Sequence, residues 1–387
     1  MRYLTSLILL ACVVPAFGQK LTITALENPS ASGSLQPNWS VAPDGGAILS
    51  WIEPSKGGSY SLRYAVRRGA SWSEPHTVAA GRHFFRHPAE APEVVALSDR
   101  LWLAHWVEMP DESSEAEYIY VSSSVDGVKW TTPLMAHRDR SSGEHGLASM
   151  VGSGSGEASI IWLEMLKGED GPAYLMRTVV DASGKEVKEE RLDADVCTCC
   201  PTAVAKTTKG LLVAYRDHTP SDIRDISVIR FENGRWTPPK TVHADNWKIN
   251  ACPVNAASVS AKGDHAVVAW YTGAQDSPRV QAVFSEDGGA TFGKPVAVST
   301  GHAFGFTSAA LIDDRNSIIS WLERSPKGEA RILIRQINST GAAGPVLQVA
   351  EGGKQGLGYP RLVQSQAGNL VVWSSPGSKL RTARVDK

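Results

Sequence analysis

One short phrase recurs along the whole chain: a run of apolar residues that ends in an aromatic one, often with Glu two positions later. The copies are Ala47 to Glu53, Leu101 to Glu108, Ala158 to Glu164, Leu211 to Asp217, Ala266 to Thr272, Ser317 to Glu323 and Leu370 to Ser375. Their aromatic anchors, Trp51, Trp106, Trp162, Tyr215, Trp270, Trp321 and Trp373, are spaced 51 to 56 residues apart. A fixed period of this size is the mark of one structural unit repeated. Around each copy the polarity alternates with a period of two. A short run near Pro or Gly comes first, as in Pro92 to Leu97. A third alternating run follows, such as Ser61 to Val66 or Ile226 to Phe231. Then comes Trp or Phe with Pro three residues on, as in Trp72/Pro75, Trp130/Pro133, Trp236/Pro239 and Phe292/Pro295, and a last short run such as Lys240 to His243. Short runs rich in Val, Ile, Tyr and Trp, bounded by Gly, Pro, Asn and Asp, predict strands. No helical periodicity is present beyond the N-terminus.

Four antiparallel strands per unit predict an all-β propeller of four-stranded blades. The final unit lacks a fourth strand of its own, and Lys20 to Leu26 supplies one, closing the ring and removing exposed sheet edges. The expected count is seven blades, with six as the alternative if one unit is absorbed elsewhere. A chain of 387 residues would ordinarily suggest more than one domain. The unbroken repeat instead predicts one propeller over residues 19–387.

Residues 1–18 have the form of a signal peptide: Arg2, an apolar stretch from Leu4 to Val14, and a small-x-small site at Ala16-Phe17-Gly18. The apolar stretch is too short to span a bilayer, so no transmembrane segment is expected. The expected location is periplasmic or secreted. Leu9-Leu10-Ala11-Cys12 resembles a lipid-attachment box and gives the lesser alternative of lipoprotein anchoring through Cys12. The formal charge of −1 argues against a nucleic-acid partner, which would favour a basic face. A monomer is expected.

In a propeller the loops between blades emerge on the same face as those joining second to third strands, and loops carry function. These loops gather the unusual residues. Phe85-Arg86-His87 lies in one, and Asp139, Glu144 and His145 lie in the next. Cys197, Cys199 and Cys200 follow, then Trp247, Cys252 and Asn255, then Phe304, and finally Tyr359 and Arg361. The second-to-third strand loop of the fourth unit adds Arg216, Asp217, Arg224 and Asp225. Glu53, Glu108, Glu164 and Glu323 recur at equivalent positions and are therefore expected to be architectural, accepting backbone hydrogen bonds at strand ends. Arg216-Asp217 breaks that pattern, and such breaks are where function is expected. The cysteines leave three alternatives open: disulfides, with Cys200–Cys252 the favoured pair; a soft-metal site for Cu or Zn; or free reactive thiols. No cofactor is required otherwise.

On the opposite face, Ser285 to Phe292 fits Ser-x-Asp-x-Gly-x-Thr-aromatic, and Ser124 to Trp130 is the same turn one residue shorter. These turns resemble the Asp-box of sialidases and related BNR-repeat propellers. The phrases Asp195 to Thr202, Tyr215 to Ile226 and His243 to Asn255 resemble those of a group of exported bacterial proteins described as sialidase-like. The sialidase resemblance implies three Arg on a substrate carboxylate, a Tyr nucleophile with a Glu partner, and an Asp acid/base. Phe85-Arg86-His87-Pro88 is similar to the family's Phe-Arg-Ile-Pro segment, with His for Ile. By motif the resemblance implies a substrate-binding role for Arg86; loop face alone adds Arg216, Arg224 and Arg361 to the clamp, with Asp217, Asp225 and Trp247 beside them. Loop face likewise offers Tyr359, Glu144 and Asp139 for the catalytic roles. The expected ligand is an acidic glycan or similar carboxylate, bound and in the enzymatic case hydrolysed in the manner of an exo-α-sialidase. The alternative is a non-enzymatic propeller that binds metal or docks a protein.

Overall fold

The computed structural model describes residues 21–111, 113–154, 156–166, 171–352 and 356–386. The signal segment and Cys12 lie outside them. Seven separate antiparallel sheets follow one another along the chain. Blade 1 runs from Leu35–Val41 to His76–Gly81, blade 2 from Glu93–Ser98 to Leu134–Met135, and blade 3 from Glu144–Gly154 to Glu186–Val196. Blade 4 begins at Ala203–Thr207, blade 5 at Ser258–Lys262, blade 6 at Ala303–Leu311 and blade 7 at Arg361–Ser365. The first strands of consecutive blades touch all the way round, the seventh against the first, so they line a central channel. Helix among the described residues is limited to short 3₁₀ turns such as Lys56–Gly58.

The ring is closed as the repeat requires. Thr22–Leu26 pairs with Arg381–Asp386 as the outer strand of blade 7, with Ala25 opposite Ala383. Asn28 Nδ2 donates to the Leu380 carbonyl at 2.7 Å, and Thr382 Oγ1 donates to the Leu26 carbonyl at 2.9 Å.

The anchor aromatics explain the period. Each sits in the apolar cluster formed between its own blade and the one before: Trp106 between blades 1 and 2, Trp162 between 2 and 3, Tyr215 between 3 and 4. Trp270, Trp321, Trp373 and Trp51 fill the remaining interfaces, Trp51 joining blade 7 to blade 1. Trp51, Trp162 and Trp321 are fully buried. A buried Trp removes roughly 200 Å² from water, worth about 5 kcal/mol at 25 cal/mol per Å². One wedge per interface therefore supplies a large share of the adhesion between blades.

The recurrent Glu is architectural in a different way from the one expected. Its partner is the indole N–H of the anchor: Trp51 Nε1 donates to Glu53 at 2.9 Å, Trp106 to Glu108 at 2.7 Å and Trp321 to Glu323 at 3.2 Å. Where the Glu is missing in blades 4 and 5, an Asp from another segment replaces it: strand residue Asp193 and loop residue Asp245. Tyr215 Oη donates to Asp193 at 2.6 Å and Trp270 Nε1 to Asp245 at 2.7 Å. Trp162 donates instead to Thr178 Oγ1 at 3.0 Å. A buried indole N–H requires a partner, and the repeat provides one two residues away.

The turns on the far face close on themselves. Ser285 Oγ donates to Asp287 and accepts from the Gly289 amide, while the Thr291 amide and hydroxyl both donate to Asp287 at 2.8 and 2.7 Å. Gly289 has φ +85°, and a Cβ there would meet Leu212 at 2.5 Å, so glycine is required.

Candidate functional site

The loops joining blades 7, 1 and 2 enclose a cleft of about 360 Å³. Arg86, Tyr359 and Arg361 line it, together with Gln36, Pro88 and Ser375. Its size is typical of a small-ligand site. Arg86 stacks on the Tyr60 ring at 4.2 Å, and its Nη1 reaches the Phe84 carbonyl at 3.4 Å. Among the described residues, no carboxylate stands within ion-pair distance of Arg86 or Arg361, whereas eight other arginines are ion-paired. Burial lowers the Arg361 pKa, while Glu93, Tyr359 and Glu90 at longer range favour its charge. Burial likewise pushes the Tyr359 phenol up to about 12, opposed by Arg361. At neutral pH Tyr359 therefore presents a hydroxyl rather than a phenolate.

Tyr359 also borders a second depression of about 510 Å³, with Phe304, Phe306 and Arg324. Phe306 stacks on Tyr359 with centroids 3.8 Å apart, Phe304 meets Phe306 edge-on, and Arg324 lies over Phe304. Asn255 holds this platform: its Oδ1 accepts the Phe306 amide at 2.7 Å. Gly305 passes so close that a Cβ would overlap that Asn255 oxygen. Phe306 and Val254, at φ +54° and +48°, occupy the left-handed region that bulky residues avoid. Backbone of this kind clusters at functional sites because the surroundings must enforce it.

Other candidates fall elsewhere. Asp139 and Glu144 do not line the cleft with Tyr359. Asp139 accepts the Ser141 amide and hydroxyl and stands 3.4 Å from His145 Nε2. His145 stacks on His137 at 4.0 Å, and burial, with His145 alongside, pushes the His137 pKa down to about 3. His137 Nε2 accepts the Ile119 amide, so its proton sits on Nδ1 and is donated to the Asp139 carbonyl.

Arg216 is buried, and its guanidinium donates to the carbonyls of Asn255, Arg224 and Tyr271 while packing over Trp247. Asp225 accepts the Asn246 and Trp247 amides, and Asp217 accepts the Ser227 hydroxyl. Burial raises Asp217 to about 6. Arg216, Asp217, Asp225 and Trp247 thus brace the loops of blades 4 and 5 against one another.

Sequence reasoning passed over Glu90 and Glu117. Both are buried, and a Cβ on Gly146 would lie 3.0 Å from Glu117 Oε2 and 3.1 Å from Glu90 Oε2. Burial raises Glu90 to about 7 and Glu117 to about 9, the latter with repulsion from Glu90 and Glu144. Glu90 accepts the Leu147 amide. The usable signal was the position of Glu90, inside Pro88-Ala89-Glu90-Ala91-Pro92 directly after Arg86.

The Cys197 Sγ lies 3.8 Å from that of Cys199 and 3.4 Å from that of Cys200, and Cys199 and Cys200 are 4.0 Å apart. No disulfide joins the four described cysteines, so the Cys200–Cys252 pair is not formed in this structure. Cys252 contacts Thr198 Oγ1 at 3.5 Å and is exposed. Arg224 belongs to this cluster, its Nη1 3.2 Å from Cys197 Sγ and its Nε on the Ile249 carbonyl. Hydrogen bonds from Cys199 and Cys200, with Arg216 nearby, hold the Cys197 thiol well below its ordinary range.

Fold and cleft together define a seven-bladed propeller of four-stranded antiparallel blades with a basic cleft on its loop face. Among solved structures, a polysaccharide lyase, an ulvan lyase of a new family bound to -[GlcA(1-4)Rha3S]-, superposes with a TM-score of 0.60 at 9% identity, covering 94% of this chain and 98% of its own. The NanB sialidase of Streptococcus pneumoniae superposes with a TM-score of 0.50 at 9% identity, covering 94% of each chain. A Hadza microbial sialidase gives a TM-score of 0.46 at 14% identity; this chain spans 64% of its length. At these identities the likeness is one of fold. No family model and no curated protein matches the sequence. No helix among the described residues is long and apolar enough to cross a membrane.

Proposed function

We propose that this chain is a carbohydrate-active propeller that binds an acidic glycan in the cleft of Arg86, Tyr359 and Arg361. The observation that carries the reading is the pair of guanidinium groups, both without a carboxylate partner, in a cleft of about 360 Å³. Arg361 is half-buried, and a guanidinium held there without an anion is costly unless a ligand supplies one; Arg86 is exposed, and the planar fork of each suits a sugar carboxylate or sulfate. The Phe304–Phe306–Tyr359 platform adjoins it and offers ring faces for further sugar units.

Within this class, sialidase-type hydrolysis would use Tyr359 as nucleophile. A second reading, elimination across a uronate, is favoured by one observation: no Asp or Glu lines the cleft among the described residues, whereas ordinary glycoside hydrolysis needs two carboxylates. In elimination the arginines neutralise the uronate carboxylate and so acidify the adjacent C–H. Incubation with sialosides and with uronate-containing polysaccharides separates the two. Released sialic acid marks hydrolysis, and absorbance of an unsaturated uronate marks elimination. Arg361→Ala abolishes either. Absence of binding to every acidic glycan, with an intact fold, contradicts the proposal.

A further inference from the structure

The cysteine cluster takes no part in the cleft. Three thiols come from one turn between blades 3 and 4, and the fourth from the loop between blades 4 and 5. A tetrahedral ion with metal–sulfur bonds of about 2.3 Å holds its thiolates about 3.8 Å apart. The three separations here are 3.4, 3.8 and 4.0 Å. All three donor atoms of Cys197, Cys199 and Cys200 lie within 4.8 Å of one another before any ion is present. The turn is held from outside the cluster: the Cys197 amide donates to the Arg216 carbonyl, and Thr202 Oγ1 bonds the Leu147 and Ile161 carbonyls.

The surroundings match the charge of a thiolate site. Arg224 Nη1 donates to Cys197 Sγ at 3.2 Å, and Arg224 is itself fixed by the Ile249 carbonyl. Cys197 and Cys200 are 1% and 2% exposed, whereas Cys199 is only partly covered and Cys252 is open to solvent. An ion therefore has an entry side and a dry floor. A disulfide would use two of the thiols and strand the others, and bridging the adjacent Cys199 and Cys200 is geometrically strained. One ion satisfies all three turn thiols together.

We propose that Cys197, Cys199 and Cys200 bind a single thiophilic d¹⁰ metal ion, Zn(II) or Cu(I), with Cys252 as the adjacent fourth donor. Both ions favour thiolate ligands. They differ in the number they take: Zn(II) in structural sites is four-coordinate, and Cu(I) is satisfied by three. Binding converts the thiols to thiolates and releases their protons, so affinity falls as pH is lowered.

The test uses the full chain, reduced under anaerobic conditions and given Zn(II) or Cu(I) in competition with a chromophoric chelator. Metal content after gel filtration is read by mass spectrometry. The expected result is one equivalent of ion per chain, with sulfur-to-metal charge-transfer absorption when Co(II) replaces Zn(II). Cys197→Ser and Cys200→Ser each weaken retention by about tenfold or more. Cys252→Ser weakens Zn(II) and leaves Cu(I) unchanged. Unaltered protein that retains neither ion, or is isolated with these thiols already in disulfides, overturns the proposal. That result needs no variant to fold, and it leaves the glycan reading untouched.

Discussion

At the residue scale, the same side-chain type takes opposite roles according to what partners it finds. Arg216 spends its whole fork on carbonyls and becomes a brace, whereas Arg361 reaches the cleft with its fork unused. No local pattern distinguishes the two, because the carbonyls that satisfy Arg216 come from positions 8, 39 and 55 residues away. Asp245 shows how tightly such partners are shared. It accepts from Trp270 Nε1 at 2.7 Å and Gln281 Nε2 at 2.6 Å, with His243 and Arg279 alongside. Trp270→Phe removes one donor to a buried carboxylate while keeping most of the ring. The expected cost is roughly 1–3 kcal/mol, read as a lower urea midpoint at unchanged slope. An unchanged midpoint would show that the indole–carboxylate bond adds nothing.

At the scale of the element, the loops hold protonated acid within the ring. Folding raises Glu117 to about 9 and Glu90 to about 7, both from an ordinary 4.5. The folded protein therefore keeps protons that the unfolded chain has released. Their contribution is fully present below about pH 4.5 and is lost as pH rises through 7 and then 9. Glu117→Gln mimics the protonated acid and cannot ionise. It should match the parent near pH 5 and exceed it by on the order of 1–3 kcal/mol near pH 9. Parallel stability curves across that range would contradict this. The strands themselves were legible because their alternation and their Trp wedge are local. The aromatic anchor marked every interface, and two of the anchors without a following Glu made sense once Asp193 and Asp245 were seen to substitute for it. The loop assignments were legible by face only. Arg86, Tyr359 and Arg361 converge, while Asp139 and Glu144 sit with the His137–His145 stack, because neighbouring blades place equivalent loops at different bearings around the ring.

At the scale of the molecule, ring closure makes the two ends of the chain one structural unit. Thr22–Leu26 covers the outer edge of blade 7, and Asn28 ties the joint to Leu380. Deleting Thr22–Leu26 exposes Arg381–Asp386 as an open edge and should lower the melting temperature and promote self-association. A monomeric deletion variant melting like the parent would show that the closure is dispensable. The ring also sets the division of labour between its faces. The Asp-turns seal one side, and the cleft, aromatic platform and thiol cluster share the other. The repeat thus announced the architecture, while its break at Arg216-Asp217 turned out to brace the loops of blades 4 and 5.

The most direct measurement is the affinity of the full chain for sialylated and uronate-containing glycans by calorimetry, beside Arg86→Ala and Arg361→Ala. An acidic glycan should bind and its neutral analogue should not, and each variant should lose about tenfold or more, as expected for removing a charged partner at 1.4 kcal/mol per decade. Binding unaffected by both substitutions, or equal binding of the neutral analogue, would contradict the account.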